Sequence, residues 1–449
     1  MQTKALHQVT DGVIWKQLLS YFFPILLGTF FQQMYNTVDT IVVGRFVGTQ
    51  ALAAVGATSP LISLVTGFFV GLSTGATVLV SQFYGAGDNK KVSAALHNGI
   101  LLALVMGAVI MVLGFSAGKQ ILRWMQTPEG CLGDSVLYAK IYFAGAISSM
   151  IYNMGAGILR AMGDSRRPTI FLMITCVLNV VGDLFFVLVL DMGISGVAAA
   201  TVLSQSISAV LVLMTLYKLP RDVAFCPRKL AFDKHLLGRI LAVGVPAGLQ
   251  MTTFDLAGTL IQSGVNSFGE TAVAAWTAYY KTDFITWMIS GAFGVSITTF
   301  VGQNYGAGKT DRVKKSVWVC MGMSVTLVGL LSGIELIFRH AVLGIYSTNS
   351  EVIRLAAYLM LWTVPFNILF MPVEIFAGAL RGAGRSVTPM VIMVVCVCLY
   401  RVLWVLTVVK RFHHIELLAI CYPISWVLAS VALLIAYLRS SWLNPPKEA

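Results

Sequence analysis

The sequence predicts an all-α integral membrane protein of about twelve transmembrane helices in two pseudo-symmetric six-helix lobes. Composition, an internal repeat and the placement of charge each point to it. Of 449 residues, 57% are hydrophobic and 11% charged, and the mean hydropathy is +0.82. A soluble domain carries about 25% charged residues. Apolar segments long enough to span, which takes about 20 residues, lie near 14–44, 51–80, 92–117, 135–158, 168–190, 192–217, 237–266, 272–301, 316–338, 352–376, 387–409 and 415–438. Several are longer than a span needs, which implies tilt or kinks. Pro24, Pro60, Pro246, Pro365 and Pro372 are the expected bending sites.

The repeat fixes the organisation. SQFYGAGDNKKV (Ser81 to Val92) returns as GQNYGAGKTDRV (Gly302 to Val313), at an offset of 221. The same offset aligns Leu159-Arg160 with Leu380-Arg381, Gly163 with Gly384, Pro168 with Pro389 and Gly48 with Gly269. Pro24 and Pro246 match at 222. The chain is therefore a duplication of six spans plus six. An even number keeps both halves in one orientation, as in transporters built from parallel repeats. The expected domains are an N-terminal lobe (1–217), a polar linker (218–235) and a C-terminal lobe (236–449). Each glycine-rich turn reads as a helix stop, where glycine takes the left-handed cap. A phosphate cradle lacks the Lys-Ser/Thr that would follow it.

Charge placement sets orientation. With the N-terminus and the even-numbered loops on one side, that side holds 21 of the 31 Lys and Arg residues, the other side 8, and Lys281 and Arg401 lie within spans. This positive-inside pattern puts both termini in the cytoplasm of a plasma (inner) membrane protein. The net charge of +12 is thus spent on topology, with no nucleic-acid partner indicated. Residues 1–16, with Lys4, Asp11 and Lys16, read as a polar leader, without a cleavable signal peptide. The seven cysteines form no CxxC pair and sit mostly in spans, so neither a disulfide framework nor a zinc site is expected.

Asp39 stands alone in PILLGTFFQQMYNTVDTIVVGRF, the first span. A carboxylate at mid-bilayer costs about 2.5–3.5 kcal/mol on insertion scales. Such a group usually faces a bundle interior or a wet cavity; the bland alternatives are a structural pair or snorkelling to the interface. Asn179 and Asp183, four apart, share one face of the fifth span.

With these residues and the repeat together, the chain resembles a multidrug and toxic compound extrusion (MATE) transporter over essentially its whole length. It is most similar to the DinF-like branch, in which a first-helix proline precedes an aspartate by fifteen positions, as Pro24 precedes Asp39. That branch also has Asn and Asp four apart in the fifth helix and a threonine in the sixth, where Thr201 falls. The resemblance implies the MATE fold and cation-coupled antiport. Its coupling site would comprise Asp39, Asn179, Asp183 and Thr201, with Pro24 bending the helix. Two carboxylates, an amide and a hydroxyl would bind H⁺ or Na⁺; no cofactor and no metal beyond Na⁺ is implied.

The second half carries Asp255, Glu374 and Asp283 as a possible second cation site. Asp255 lies one residue from where other branches place an acid, a rotation of about 100°. A buried ion-pair network of Asp255, Glu374 and Arg401 is the competing reading, and Glu335, beside Phe338-Arg339-His340, reads as interfacial. Gln32, Gln33, Met34, Tyr35, Asn36, Trp276 and Tyr280 are candidates for a substrate cavity suited to lipophilic cations.

The expected function is export of amphipathic, often cationic, organic compounds by a monomer in contact with membrane lipids. A pH unit supplies about 1.4 kcal/mol, and a charge crossing 100 mV about 2.3 kcal/mol. One-for-one exchange of H⁺ for a monovalent cation cancels the voltage drive, and protonating two acids restores it. The alternative is a lipid-linked oligosaccharide or lipid flippase of the same superfamily, though the buried charges here are mostly acidic. An enzyme would need a nucleophile–base or metal constellation, and His413-His414 reads as a solvated loop.

Overall fold

A computed structural model describes residues 9–440; Lys4 of the leader lies outside the described residues. The described residues form helices and turns, with no strand among them. In order they are α1 (Ile14–Val47), α2 (Thr49–Gly85), α3 (Asn89–Trp124), α4 (Glu129–Ala144), α5 (Ala146–Ala161), α6 (Arg166–Val189) and α7 (Gly193–Tyr217). After the linker come α8 (Lys234–Asn266), α9 (Glu270–Gly306), α10 (Thr310–Ile337), α11 (Ser350–Gly382), α12 (Val387–Phe412) and α13 (Glu416–Arg439). Eleven of these are long and apolar enough to cross a bilayer singly. The remaining span, expected at 135–158, is longer and divided: α4 and α5, of 16 residues each, meet at Gly145.

The duplication is written into the backbone. Gly48 and Gly269 have φ of 123° and 88°, Gly87 and Gly308 74° and 71°, and Gly163 and Gly384 97° and 84°. Each pair ends or begins helices at the same place in both halves, where a side chain would be strained. The interruption at Gly145 also recurs. At the same offset lies Phe366, within the 3-10 stretch Val364–Phe370 that interrupts α11 around Pro365. Pro24, Pro60 and Pro246 lie inside α1, α2 and α8. Pro372 opens the helical part of α11 that begins at Met371.

Two compact units result. One is Phe23–Gly248; the other is Val9–Phe22 with the residues from Leu249 on. In the first unit, a Cβ on Gly71 or Gly75 of α2 would collide with the backbone of Gly248 or Ile240 of α8. Small residues permit this backbone approach, the usual currency of helix association in lipid. The linker is clasped by α3: His97 Nε2 accepts from the Cys226 N–H (2.9 Å), and Asn98 Oδ1 accepts from the Asp233 N–H (2.9 Å).

The second unit holds the segment before α1 in a comparable way. The Val9 N–H donates to Gln303 Oε1 (3.0 Å), Arg312 Nη2 donates to Gln17 Oε1 (2.6 Å), and Phe22 stacks on Phe293 at 4.2 Å. Lys309 Nζ lies 2.7 Å from Asp11 and, by hydrogen bond and charge, holds that carboxyl below the usual range.

Candidate cation-coupling site

Three helices of the first unit bring four polar side chains together. α1 supplies Asp39, α6 supplies Asn179 and Asp183 from one face, and α7 supplies Thr201. Their exposures are 6%, 1%, 0% and 2%. The Thr201 hydroxyl has Asp39 Oδ2 at 3.2 Å and the Val197 carbonyl at 3.1 Å as acceptors. Asn179 and Asp183 adjoin the Asp39 carboxyl. No donor reaches either oxygen of Asp183 or Oδ1 of Asp39, and the Asn179 amide is likewise unmatched. No Lys or Arg pairs with either acid among the described residues.

Two buried carboxyls without a counter-ion cannot both be charged cheaply. A proton held between them, or a bound cation, relieves the repulsion. Val42, Val43, Tyr138, Val187 and Val197, from the same helices and α4, form a buried apolar cluster. Both acid-bearing helices pass into a π-helical turn just beyond the acid, at Val43–Val47 and Phe185–Val189, a local loosening common at functional positions.

A polar cavity of about 40 Å³ adjoins the group, lined by Gln32, Tyr35, Asn153, Thr175, Asn179, Thr201 and Ser208 among others. That volume holds a few waters, far less than an organic cargo. Of the expected substrate contacts on α1, Gln32 and Tyr35 line this cavity, whereas Gln33, Met34 and Asn36 are exposed on the helix and do not. Pro24 leaves its carbonyl to accept from Thr169 Oγ1 at 2.6 Å, so the bend site in α1 is tied to α6.

The second unit departs from expectation. Asp255, Glu374 and Arg401 form no network. Asp255 is exposed and makes no ion pair among the described residues, Glu374 pairs with Arg381 (3.6 Å), and Arg401 bonds Ser425 instead. Nor do Asp255 and Glu374 gather around Asp283. Asp283, 1% exposed, accepts from Asn367 Nδ2 (2.7 Å) and Trp287 Nε1 (2.9 Å). Its acidic neighbour is Glu335, at 6% exposure, which accepts from Thr286 Oγ1 at 3.5 Å. Glu335 is therefore buried rather than interfacial, because α10 turns it inward one helical turn before Arg339. Trp276 is buried against Tyr279 (5.5 Å) and Tyr422 (6.1 Å), while Tyr280 is 54% exposed.

Comparison with known proteins accounts for the repeat. The family model MatE matches residues 24–185 and again 246–406. The chain belongs to the MatE family. It is 29% identical over 440 residues to the probable multidrug resistance protein YoeA of Bacillus subtilis, covering 96% of this chain and 94% of that one. It is 24% identical to the probable multidrug resistance protein NorM of Thermotoga maritima, covering 89% and 86%. A crystal structure of MATE in complex with MaL6 superposes with a TM-score of 0.91 at 22% identity, covering 98% of this chain and 99% of that one. The fold is the twelve-helix MATE fold, and this MatE chain is a multi-pass membrane transporter, not an enzyme.

Within this MatE chain, sequence reading placed Glu335 at the interface and did not single out Asn367 or Trp287. The signal that singles out Asp39, a lone acid in apolar sequence, was present for Glu335 in GLLSGIELIF. Asn367 stands in VPFNILF, between two prolines that break α11, where backbone and side chain point into the lobe rather than along a regular face.

Proposed function

We propose that the chain is a cation-coupled antiporter of the DinF-like kind that exports amphipathic organic compounds by alternating access. The observation that carries this reading is the convergence of Asp39, Asn179, Asp183 and Thr201, buried together with no basic partner. In the cycle, H⁺ or Na⁺ occupies the acids from outside and cargo displaces it. The lobes 1–217 and 236–449, joined by the cytoplasmic linker 218–235, rock between the two states in the plasma membrane, and the monomer suffices. Pro24 and the π turns give α1 the freedom to rearrange as the charge on Asp39 changes. The Asp283–Asn367–Glu335 group is a second place where a cation would relieve buried acid, but Asp283 already has two donors, so it ranks behind the first. The relatives named as multidrug resistance proteins support an organic cargo.

The test is ethidium efflux from energised cells, with Asp39→Asn and Asp183→Asn beside the wild type. Protonophore-sensitive efflux absent from both folded variants is the expected result for proton coupling. Efflux restored by a Na⁺ pulse assigns the site to Na⁺. Wild-type rates in both variants would overturn the proposal.

A further inference from the structure

One buried charge of the second unit has no carboxylate to answer it. Arg401 of α12 is 5% exposed and forms no ion pair among the described residues. The other buried guanidinium of that unit, Arg381, has Glu374 at 3.6 Å. Arg401 Nε donates to Ser425 Oγ (2.9 Å), and its Cζ lies 3.8 Å from the Tyr422 ring centre. Its Nη2 is buried and has no hydrogen-bond partner. Asp283 accepts from Asn367 and Trp287, Glu374 pairs with Arg381, Asp255 is exposed and forms no ion pair among the described residues, and the Cys421 thiol donates to the Leu418 carbonyl (3.1 Å), which leaves it no counter-ion role.

A permanently charged group at membrane depth is costly and usually marks function. A guanidinium stacked on a ring satisfies its face and leaves its edge donors in plane. With Nε taken by Ser425, the two Nη groups remain as a fork, the geometry that matches two oxygens of an oxyanion. Half-exposed Tyr280 stands within electrostatic reach of Arg401 as well as of Asp283 and Asp255.

The duplication sharpens the point. At the offset of 221, Asn179, Asp183 and Thr201 correspond to Tyr400, Trp404 and Tyr422, and Val180 to Arg401. The acidic position of this helix in the first half is aromatic in the second, and the basic residue of the second stands where the first has an apolar valine.

We propose that Arg401 is the anion-recognising residue of a substrate subsite in the C-terminal half. Among the exported compounds it selects aromatic amphiphiles bearing a carboxylate or similar oxyanion, held by the Arg401 fork beside Tyr280. The inference rests on the reading of the chain as an exporter and narrows its cargo.

The test is fluorescence polarisation with purified full-length protein and two dyes that differ at one group: rhodamine 110, with a free carboxylate, and rhodamine 123, its methyl ester. The wild type is expected to bind rhodamine 110 more tightly. Arg401→Gln should weaken rhodamine 110 at least about tenfold and leave rhodamine 123 unchanged, with Arg401→Lys between. Equal wild-type affinity for both dyes, or equal weakening of both in Arg401→Gln, overturns the proposal. The wild-type comparison decides alone if the variant fails to fold. Binding that discriminates the dyes without cation-dependent efflux would sink the antiport reading and leave this one standing.

Discussion

The two halves of this MatE chain share their backbone and differ in their buried charge. Gly87 and Gly308, Gly163 and Gly384, and Arg160 and Arg381 hold equivalent places. The polar interior does not follow. Asp39, Asn179 and Asp183 face Leu260, Tyr400 and Trp404 at the same offset, and Glu374, the partner of Arg381, faces Asn153. In the first half two acids share a single hydroxyl donor, Thr201, and have no basic partner among the described residues; in the second, Asp283 has two donors and Arg401 has no carboxylate. After duplication, turns and helix contacts are constrained by sterics in both copies. A buried charge needs only one lobe to carry it, so the copies were free to diverge in chemistry.

The largest expected effect tests what the halves share. Gly378→Val drives a side chain into the Gly294 carbonyl and Ile297 of α9, and Gly71→Val does the same against Gly248. Overpacking costs about 1–3 kcal/mol, and more where backbone must move. Both variants should lose monodisperse protein in size-exclusion chromatography; a wild-type profile for either would show that this helix pair tolerates separation.

Next comes what they do not share. Asp39→Asn or Asp183→Asn should lower coupled efflux by at least about tenfold with melting temperature held. Asp283→Asn should lower it by less, since its two donors already meet that site. A larger loss in Asp283→Asn would transfer the coupling role to the second half.

Asn367→Ala removes a donor from buried Asp283 and should cost about 1.5–3 kcal/mol, read as a fall in melting temperature. An unchanged melting temperature would mean that Trp287 alone satisfies the acid.

The smallest effect concerns the segment before α1. Asp11 has its carboxyl held low by exposed Lys309. A lowered folded value contributes stability above the unfolded value and loses it as pH falls through the folded one. Lys309→Ala should therefore lower stability slightly and evenly from pH 6 to 8, and the difference from wild type should shrink away as pH falls through the carboxylate range of Asp11. A difference that persisted once Asp11 is protonated would give Lys309 a second role.

Much of this was legible in the sequence. The span count and the duplication follow from apolar length and a fixed offset, and Asp39, Asn179 and Asp183 stand out as polar residues in apolar helices; Thr201 and the grouping of the four came from the family resemblance. The break at Gly145 was not, because an apolar span reads the same whether one helix or two. The acids of the second half were misassigned for a related reason. Asp255, Glu374 and Arg401 all lie in apolar sequence, and only packing tells that Glu374 turns to Arg381 while Glu335 turns to Thr286.

The central claim is that the acid pair of the first half exchanges its cation for cargo. Purified protein in proteoliposomes loaded with a pH-sensitive dye tests it most directly, with ethidium as cargo and Na⁺-free or Na⁺-containing buffer outside. The account predicts a cargo-dependent pH change, or a cargo-dependent Na⁺ flux, in the wild type and neither in Asp39→Asn. Cargo movement in Asp39→Asn with the same ion flux as wild type would contradict it.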